Sequence, residues 1–386
     1  VTLDALVREA AAAGWEQRVV VGVPAGEPVP AVGGLPPERI HPLEFGGGRL
    51  PFSVPGMSDV MPYRSTRFSD MGPEQLDAYR SAWRELLGAV LERYRPDVIH
   101  AHHVWILGAL IKDVAPDVPV VTQCHATGFR QMELCPHLAH QVREGCARND
   151  RFLVPHAGHA EALRKMLGVP AERVRVVGPG YRQDLFRVDP GVRRARPPRL
   201  VYAGKYCASK GLPWLLDAFE ELRRAFDGEL ELHVAGSGAG AEAEELAARM
   251  AATDGVVEHG RLDQARLADL MRTGSVFVLP SFYEGVPLVL VEAAACGCRL
   301  VSTDLPGVRH ELLPVLGELL HLVELPRLEG IDRPDPRDLG ELVRGLQRAI
   351  EEALARGPAA DGVRARVERL SWSSVFRRVE KVWRST

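Results

Sequence analysis

Apolar residues along this chain alternate between two patterns. One is a set of short runs rich in β-branched residues: Arg18–Val23, Asp97–His100, Val118–Gln123, Arg151–Val154, Leu200–Ala203, Glu229–Ala235, Val256–His259 and Val276–Leu279. These read as strands. Between them lie stretches with apolar residues at helical spacing: Val1–Ala13, Pro73–Tyr94, Gly158–Leu167, the stretch ending at Phe226, Asp335–Leu354, Asp361–Leu370 and Trp372–Trp383. Such alternation predicts βα units, hence an α/β protein with parallel sheets. Pro51–Ser69 has no period and reads as a long loop; its Ser58, Arg64, Ser65, Thr66 and Arg67 suit contact with a substrate as well as they suit an ordinary surface. Arg187–Arg199 is rich in Pro and Arg and reads as a solvated linker.

In open α/β sheets ligands bind beyond the carboxyl ends of strands, so the loops after the strands carry the candidate chemistry. Val276–Leu279 is followed by a Pro-, Ser- and Gly-containing loop and an alanine-rich helix from Leu288. Pro287 suits a helix start, where its missing N–H is no loss. Two carboxylates frame this unit, Glu284 in the loop and Glu292 in the helix, with seven residues between them. The N–H groups at the helix start, Gly285–Leu288, favour an anion. A phosphate flanked by hydroxyl-rich groups fits, as in a nucleoside-diphosphate sugar. On spacing alone, a surface Glu and a helix Glu with no ligand fits equally well. A second loop, Gly204-Lys205-Tyr-Cys-Ala-Ser-Lys210-Gly211, follows Leu200–Ala203 and precedes a helix. Only five of the 48 basic residues are lysine, and two of those stand in this loop. Lysines and backbone amides at a helix start suit a diphosphate, although the P-loop pattern is absent. His125 lies after the strand ending at Gln123, and His102-His103 occupy a comparable place after Asp97–His100.

Composition narrows the reading. The 386 residues are enough for two domains, and 46% apolar content is ample for ordinary cores. A net charge of −3 gives no basic surface for nucleic acid. No apolar run is long enough to span a membrane, no signal peptide is expected, and no clear basic amphipathic helix is seen, which favours a soluble substrate while leaving peripheral membrane contact open. Six cysteines form no C-x2-C pair, so a zinc site is not expected, and a reducing cytoplasm is the simplest compartment. Asp-x-Asp is absent, so no metal is expected.

Glu284-Gly-Val-Pro-Leu-Val-Leu-Val-Glu292, followed by Ala-Ala-Ala-Cys-Gly, resembles the Glu-x7-Glu motif of retaining family 4 glycosyltransferases of GT-B fold. Gly260-Arg261-Leu262 upstream and Pro306-Gly307 downstream fit the same pattern. The resemblance implies two Rossmann-like domains facing across a cleft, with a C-terminal helix crossing back to the first domain. The expected divisions are 1–187 for an acceptor-binding domain, 188–371 for a nucleotide-sugar-binding domain, and 372–386 for the returning helix. It also implies a first strand and Gly-rich loop before Val1–Ala13, so the numbering is expected to begin after them. By resemblance, Glu284 holds donor sugar hydroxyls and Glu292 ribose hydroxyls. Gly204, Lys205, Lys210, Gly285, Val286 and Leu288 meet the diphosphate, backbone around Arg261 and Leu262 contacts the base, and His125 faces the donor sugar. Gly178-Pro-Gly-Tyr-Arg182 departs from the family's Pro-Asn-Gly-Val-Asp, and Lys205 stands where the family has Arg. The implied reaction is metal-free front-face transfer with retention.

The chief rival is an NAD-dependent oxidoreductase. Gly236-Ser-Gly238-Ala-Gly-Ala241 matches a dinucleotide fingerprint, and Glu258 lies 20 residues after Gly238. A GT-B phosphorylase or a sugar-nucleotide epimerase could share the fold, and a dead site in a lectin-like scaffold is the non-enzymatic reading.

Overall fold

The computed structural model describes residues 2–57, 61, 64–227, 229–330, 332–357 and 365–386. Two compact units emerge: Val1–Pro179 together with Trp372–Thr386, and Gly180–Ser371.

The first unit begins with α1 (Thr2–Ala12), β1 (Val19–Pro24) and β2 (Ile40–Phe45), and continues with α2 (Pro73–Arg93), β3 (Ile99–His102) and α3 (Ile106–Val114). After β4 (Val120–Gln123) come α4 (Ala126–Leu134), α5 (Pro136–Ala147), β5 (Arg151–Val154), α6 (Ala157–Leu167) and β6 (Val174–Val176). Strands β1 and β2 pair in parallel, and β3-β4-β5-β6 form a separate parallel sheet. Ser58 of the long loop lies outside the described residues.

The second unit contains β7 (Arg199–Lys205), α7 (Leu212–Ala225), β8 (Glu231–Ser237), α8 (Ala241–Ala252), β9 (Val256–Gly260) and α9 (Gln264–Thr273). It continues with β10 (Val276–Leu279), α10 (Leu288–Ala295), β11 (Arg299–Thr303), α11 (Leu313–Leu316), β12 (Leu320–Val323) and α12 (Leu339–Ala355). The helix expected over Asp361–Leu370 starts outside the described residues, and its end, Glu368–Leu370, is a 3-10 turn. The sheet order is β12-β11-β10-β7-β8-β9. Its central strands are apolar on both faces because helices cover both. Alternate residues go to opposite cores: Val201, Phe277, Leu279 and Leu300 to one, Leu200, Tyr202, Val276, Val278 and Val301 to the other.

The last helix, α13 (Trp372–Trp383), belongs to the first unit. Its Val375, Phe376 and Val379 cluster with Leu6 and Ala10 of α1, Val121 of β4 and Leu153 of β5. The first division falls between Pro179 and Gly180 rather than at 187. Tyr181 and Phe186 are why: both are buried in the second unit's core, and Tyr181 N–H donates to Leu370 O at 3.0 Å. The Arg187–Arg199 stretch is solvent-exposed from Arg187 to Arg193, as a solvated linker should be, and is tied down beyond it. Arg194 donates to the carbonyls of Gly274, Ser275 and Gly297, and Ala195 N–H to Thr273 O at 3.1 Å.

Candidate active site

Strand order locates the site in the second unit. The chain enters mid-sheet at β7, runs outward through β8 and β9, then returns so that β10 lies on the other side of β7. The crevice beyond the carboxyl ends of β7 and β10 is therefore a topological switch point. The loop after β7 carries Lys205 and Lys210, and the loop after β10 carries Glu284.

The two loops are joined. Lys210 Nζ donates to Glu284 Oε1 at 2.6 Å and to the carbonyl of Tyr283 at 3.2 Å. Phe282 N–H donates to Ser209 O at 3.0 Å. Gly211 has φ +72°, and a Cβ there would stand 2.1 Å from Pro280 O. That position requires glycine on both counts. Gly211→Ala is expected to destabilise the protein by about 3 kcal/mol or more, read as a lower urea midpoint. An unchanged midpoint would mean the loops can part freely.

Lys205 is exposed and its ammonium has no partner among the described residues. Its carbonyl accepts from the hydroxyl of fully buried Tyr202 at 2.8 Å, which fixes the loop just after Gly204. Near α10, the N–H groups of Gly285, Val286, Leu288 and Val289 have no acceptor among the described residues. The Gly285 carbonyl, by contrast, is packed so closely that a Cβ on Gly307 would stand 1.7 Å from it. The loop thus presents donors and hides an acceptor, the arrangement that suits an anion.

Glu292 is the only polar residue of α10 and is half-buried, with no ion pair among the described residues. Burial pushes its carboxyl up to about 7. Structural carboxylates taken out of water normally gain a partner, so Glu292 is a costly residue unless a ligand supplies hydrogen bonds. Val286 and Leu262 both pack against the core cluster that contains Leu290, whereas Arg261 is exposed and bonds to neither loop. Arg182 pairs with Asp184, its Nε donating at 3.1 Å.

The dinucleotide-like turn serves another purpose. A Cβ on Gly238 would meet Tyr206 O at 2.8 Å and the Ala243 Cβ at 2.5 Å, and Tyr206 N–H donates to Ser237 O at 3.1 Å. The missing side chain makes room for the loop after β7.

His125 belongs to the first unit, at the start of α4. The register His102↔Gln123 carries His102 next to it, and His102 Nδ1 lies 3.3 Å from His125 Nε2. The His103 ring is 4.5 Å from that of His125, and His103 Nδ1 is 3.2 Å from Thr127 Oγ1. His103 has φ +71°, a strained backbone of the kind found at functional sites. Burial pulls His125 down to about 3 and His103 to about 4, with neighbouring imidazoles adding to the effect at His125. Burial favours the neutral form of these rings, which suits His125 to orienting a ligand by hydrogen bonds rather than to donating a proton as a general acid. Two histidines given less attention in the sequence thus join His125; the signal that finds them is strand pairing, which sequence spacing does not contain.

Among the described residues no group of three or more His, Cys, Asp or Glu is placed to hold a metal ion, and no helix is long and apolar enough to cross a membrane. Cys124, Cys146, Cys207, Cys296 and Cys298 are free thiols.

Comparison with known proteins agrees with this architecture. Residues 1–180 match the family described as glycosyl transferase 4-like domain, and residues 197–318 that described as glycosyl transferases group 1. The chain is 27% identical over 304 residues to D-inositol 3-phosphate glycosyltransferase of Xylanimonas cellulosilytica, covering 72% of this chain and 69% of that protein. Among solved structures it resembles sucrose-phosphate synthase from Thermosynechococcus elongatus, with TM-score 0.67, 17% identity and coverage of 98% of this chain and 91% of that one. It also resembles Anabaena HepE in complex with UDP and glucose, with TM-score 0.62, 16% identity and coverage of 100% and 96%.

Proposed function

From the premise that the chain is a family 4 glycosyltransferase of GT-B fold, we propose that it moves a sugar from a nucleoside-diphosphate sugar to a hydroxyl acceptor with retention and without a metal. The observation that carries this reading is the pair of joined loops at the β7/β10 switch point: two lysines, four unpaired amides and two carboxylates, one of them half-buried without a partner.

Lys205, Lys210 and the amides from Gly285 to Val289 neutralise the diphosphate as it leaves. Glu284, held by Lys210 through one oxygen, accepts donor sugar hydroxyls. Glu292 accepts from the ribose diol, which would supply the hydrogen bonds it lacks. Backbone at Arg261 and Leu262 contacts the base. The first unit takes the acceptor, which His125, fixed by His102, orients. The acceptor oxygen attacks the anomeric carbon on the face from which the diphosphate leaves. The carbon–oxygen bond to phosphate breaks, the new glycosidic bond forms, and the acceptor proton passes to the departing phosphate oxygen. The acceptor is proposed to be a hydroxylated small molecule and the setting the cytoplasm, where free thiols persist. The Xylanimonas cellulosilytica relative is named for D-inositol 3-phosphate, a small hydroxylated molecule, in keeping with this class.

Calorimetric titration with UDP, GDP, ADP and NAD tests the reading. One nucleoside diphosphate should bind without added magnesium, and both Glu292→Ala and Lys210→Ala should lose it. Binding of NAD alone would overturn the transferase assignment in favour of the Gly236–Ala241 turn.

A further inference from the structure

The loop between β10 and α10 holds one more side chain with no structural task. Tyr283 is 61% exposed, and it is the only aromatic among the large hydrophobic residues left exposed in the described chain. Its ring stacks on no other ring and its hydroxyl has no partner among the described residues. An exposed tyrosine on a loose loop would mean little, but this loop is fastened on both sides of it. Phe282, one residue before, is 1% exposed and meets Trp214 edge-on at 5.1 Å, while its N–H is held by Ser209 O. The Tyr283 carbonyl is held by Lys210 Nζ at 3.2 Å, and Glu284, one residue after, by the same ammonium at 2.6 Å. The exposed side chain therefore leaves from a backbone held on both sides.

We infer that Tyr283 is a platform for the glycosyl group of the donor, and so a specificity residue of the site; the inference rests on the donor reading of the Lys210–Glu284 loop. A hexopyranose has hydroxyls around its edge and a patch of C–H groups on its face. A carboxylate serves the edge and an aromatic ring serves the face. Glu284 and Tyr283 are adjacent in sequence and offer these two surfaces from one anchored backbone. The nucleotide itself is served by other groups, the lysines, the amides and Glu292. Tyr283 should therefore distinguish a ligand that carries a sugar from one that does not.

The test compares UDP and UDP-glucose by calorimetry on the wild type, Tyr283→Ala and Tyr283→Phe. Tyr283→Ala should leave the UDP affinity within about twofold and weaken UDP-glucose about five- to tenfold, the scale of one aromatic face contact. Tyr283→Phe should bind both like the wild type, since the ring and not the hydroxyl makes the contact. Because the side chain is exposed, all three proteins should melt together, which separates a binding effect from a folding one. If Tyr283→Ala keeps full UDP-glucose affinity, the platform is wrong. If it loses UDP and UDP-glucose in parallel, the ring serves the nucleotide and the inference fails while the donor site stands. A wild type that binds neither ligand overturns the donor reading for UDP sugars and the platform with it.

Discussion

Glu292→Gln should yield a protein that is more stable above pH 7 and that has lost its grip on the donor. The carboxyl is pushed up to about 7 from an ordinary value of 4.5 by burial in α10. Between those two values the folded state holds the proton more tightly than the unfolded state, so stability falls as pH rises through that window. Above pH 7 the full cost of the half-buried charge is present, and below 4.5 both states are protonated and the cost is gone. The gap corresponds to an upper limit of about 3 kcal/mol, reduced by the part of the side chain that water still reaches. Glutamine keeps the shape without the charge. Thermal unfolding should show the variant melting higher than the wild type at pH 8 and level with it at pH 4. Melting curves that coincide at both pH values would refute the cost. Donor affinity should fall about 10- to 100-fold, because hydrogen bonds to a charged acceptor are the stronger kind. Titration in two buffers of different ionisation enthalpy should also reveal proton release when the wild type binds nucleotide near pH 7.

Lys210→Ala should have the largest effect on turnover, a loss of about 10²- to 10³-fold in kcat/KM, the scale seen when one donor to a developing negative charge is removed. Two losses combine in it. The leaving diphosphate loses an ammonium, and Glu284, whose side chain is 23% exposed, is left as an unpaired carboxylate. The second loss can be isolated. Glu284→Gln in the Lys210→Ala background should recover stability, although neither variant recovers activity, so the two substitutions will be non-additive in a double-mutant cycle. The measurement is initial rate, with release of free sugar from the donor as the assay where no acceptor is known. A loss below tenfold would remove Lys210 from the catalytic machinery.

Much of this was legible in the sequence because it is local. Strand–loop–helix order, the lysine-bearing loop, the framing of α10 by Glu284 and Glu292, and the span Trp372–Trp383 all follow from period and punctuation. What was not legible depends on which strands lie side by side. Lys210 and Glu284 are 74 residues apart and meet because β10 returns to the flank of β7. His102 meets His125 only through the β3–β4 register. Helix α4 (Ala126–Leu134) is not among the stretches with helical spacing; tertiary packing there overrides weak propensity. The Arg187–Arg199 stretch is solvated from Arg187 to Arg193, as its charge suggests; what charge does not reveal is that Arg194 reaches the carbonyls of Gly274 and Gly297 across 80 and 103 residues.

The path of the chain between the two units has a consequence for how the protein is made. Gly180–Ser371 is continuous, so every strand and helix of that unit is available once its own segment has left the ribosome. The first unit is different. It is interrupted by the whole of the second, and Val121 and Leu153 of its sheet are covered by α13 from beyond Ser371. During synthesis the earlier-made half must wait, with part of an apolar face unprotected, while the later-made half is free to finish first. That reverses the usual N-to-C order of domain maturation, and it makes the interval before α13 emerges the period when a nascent chain most needs a chaperone.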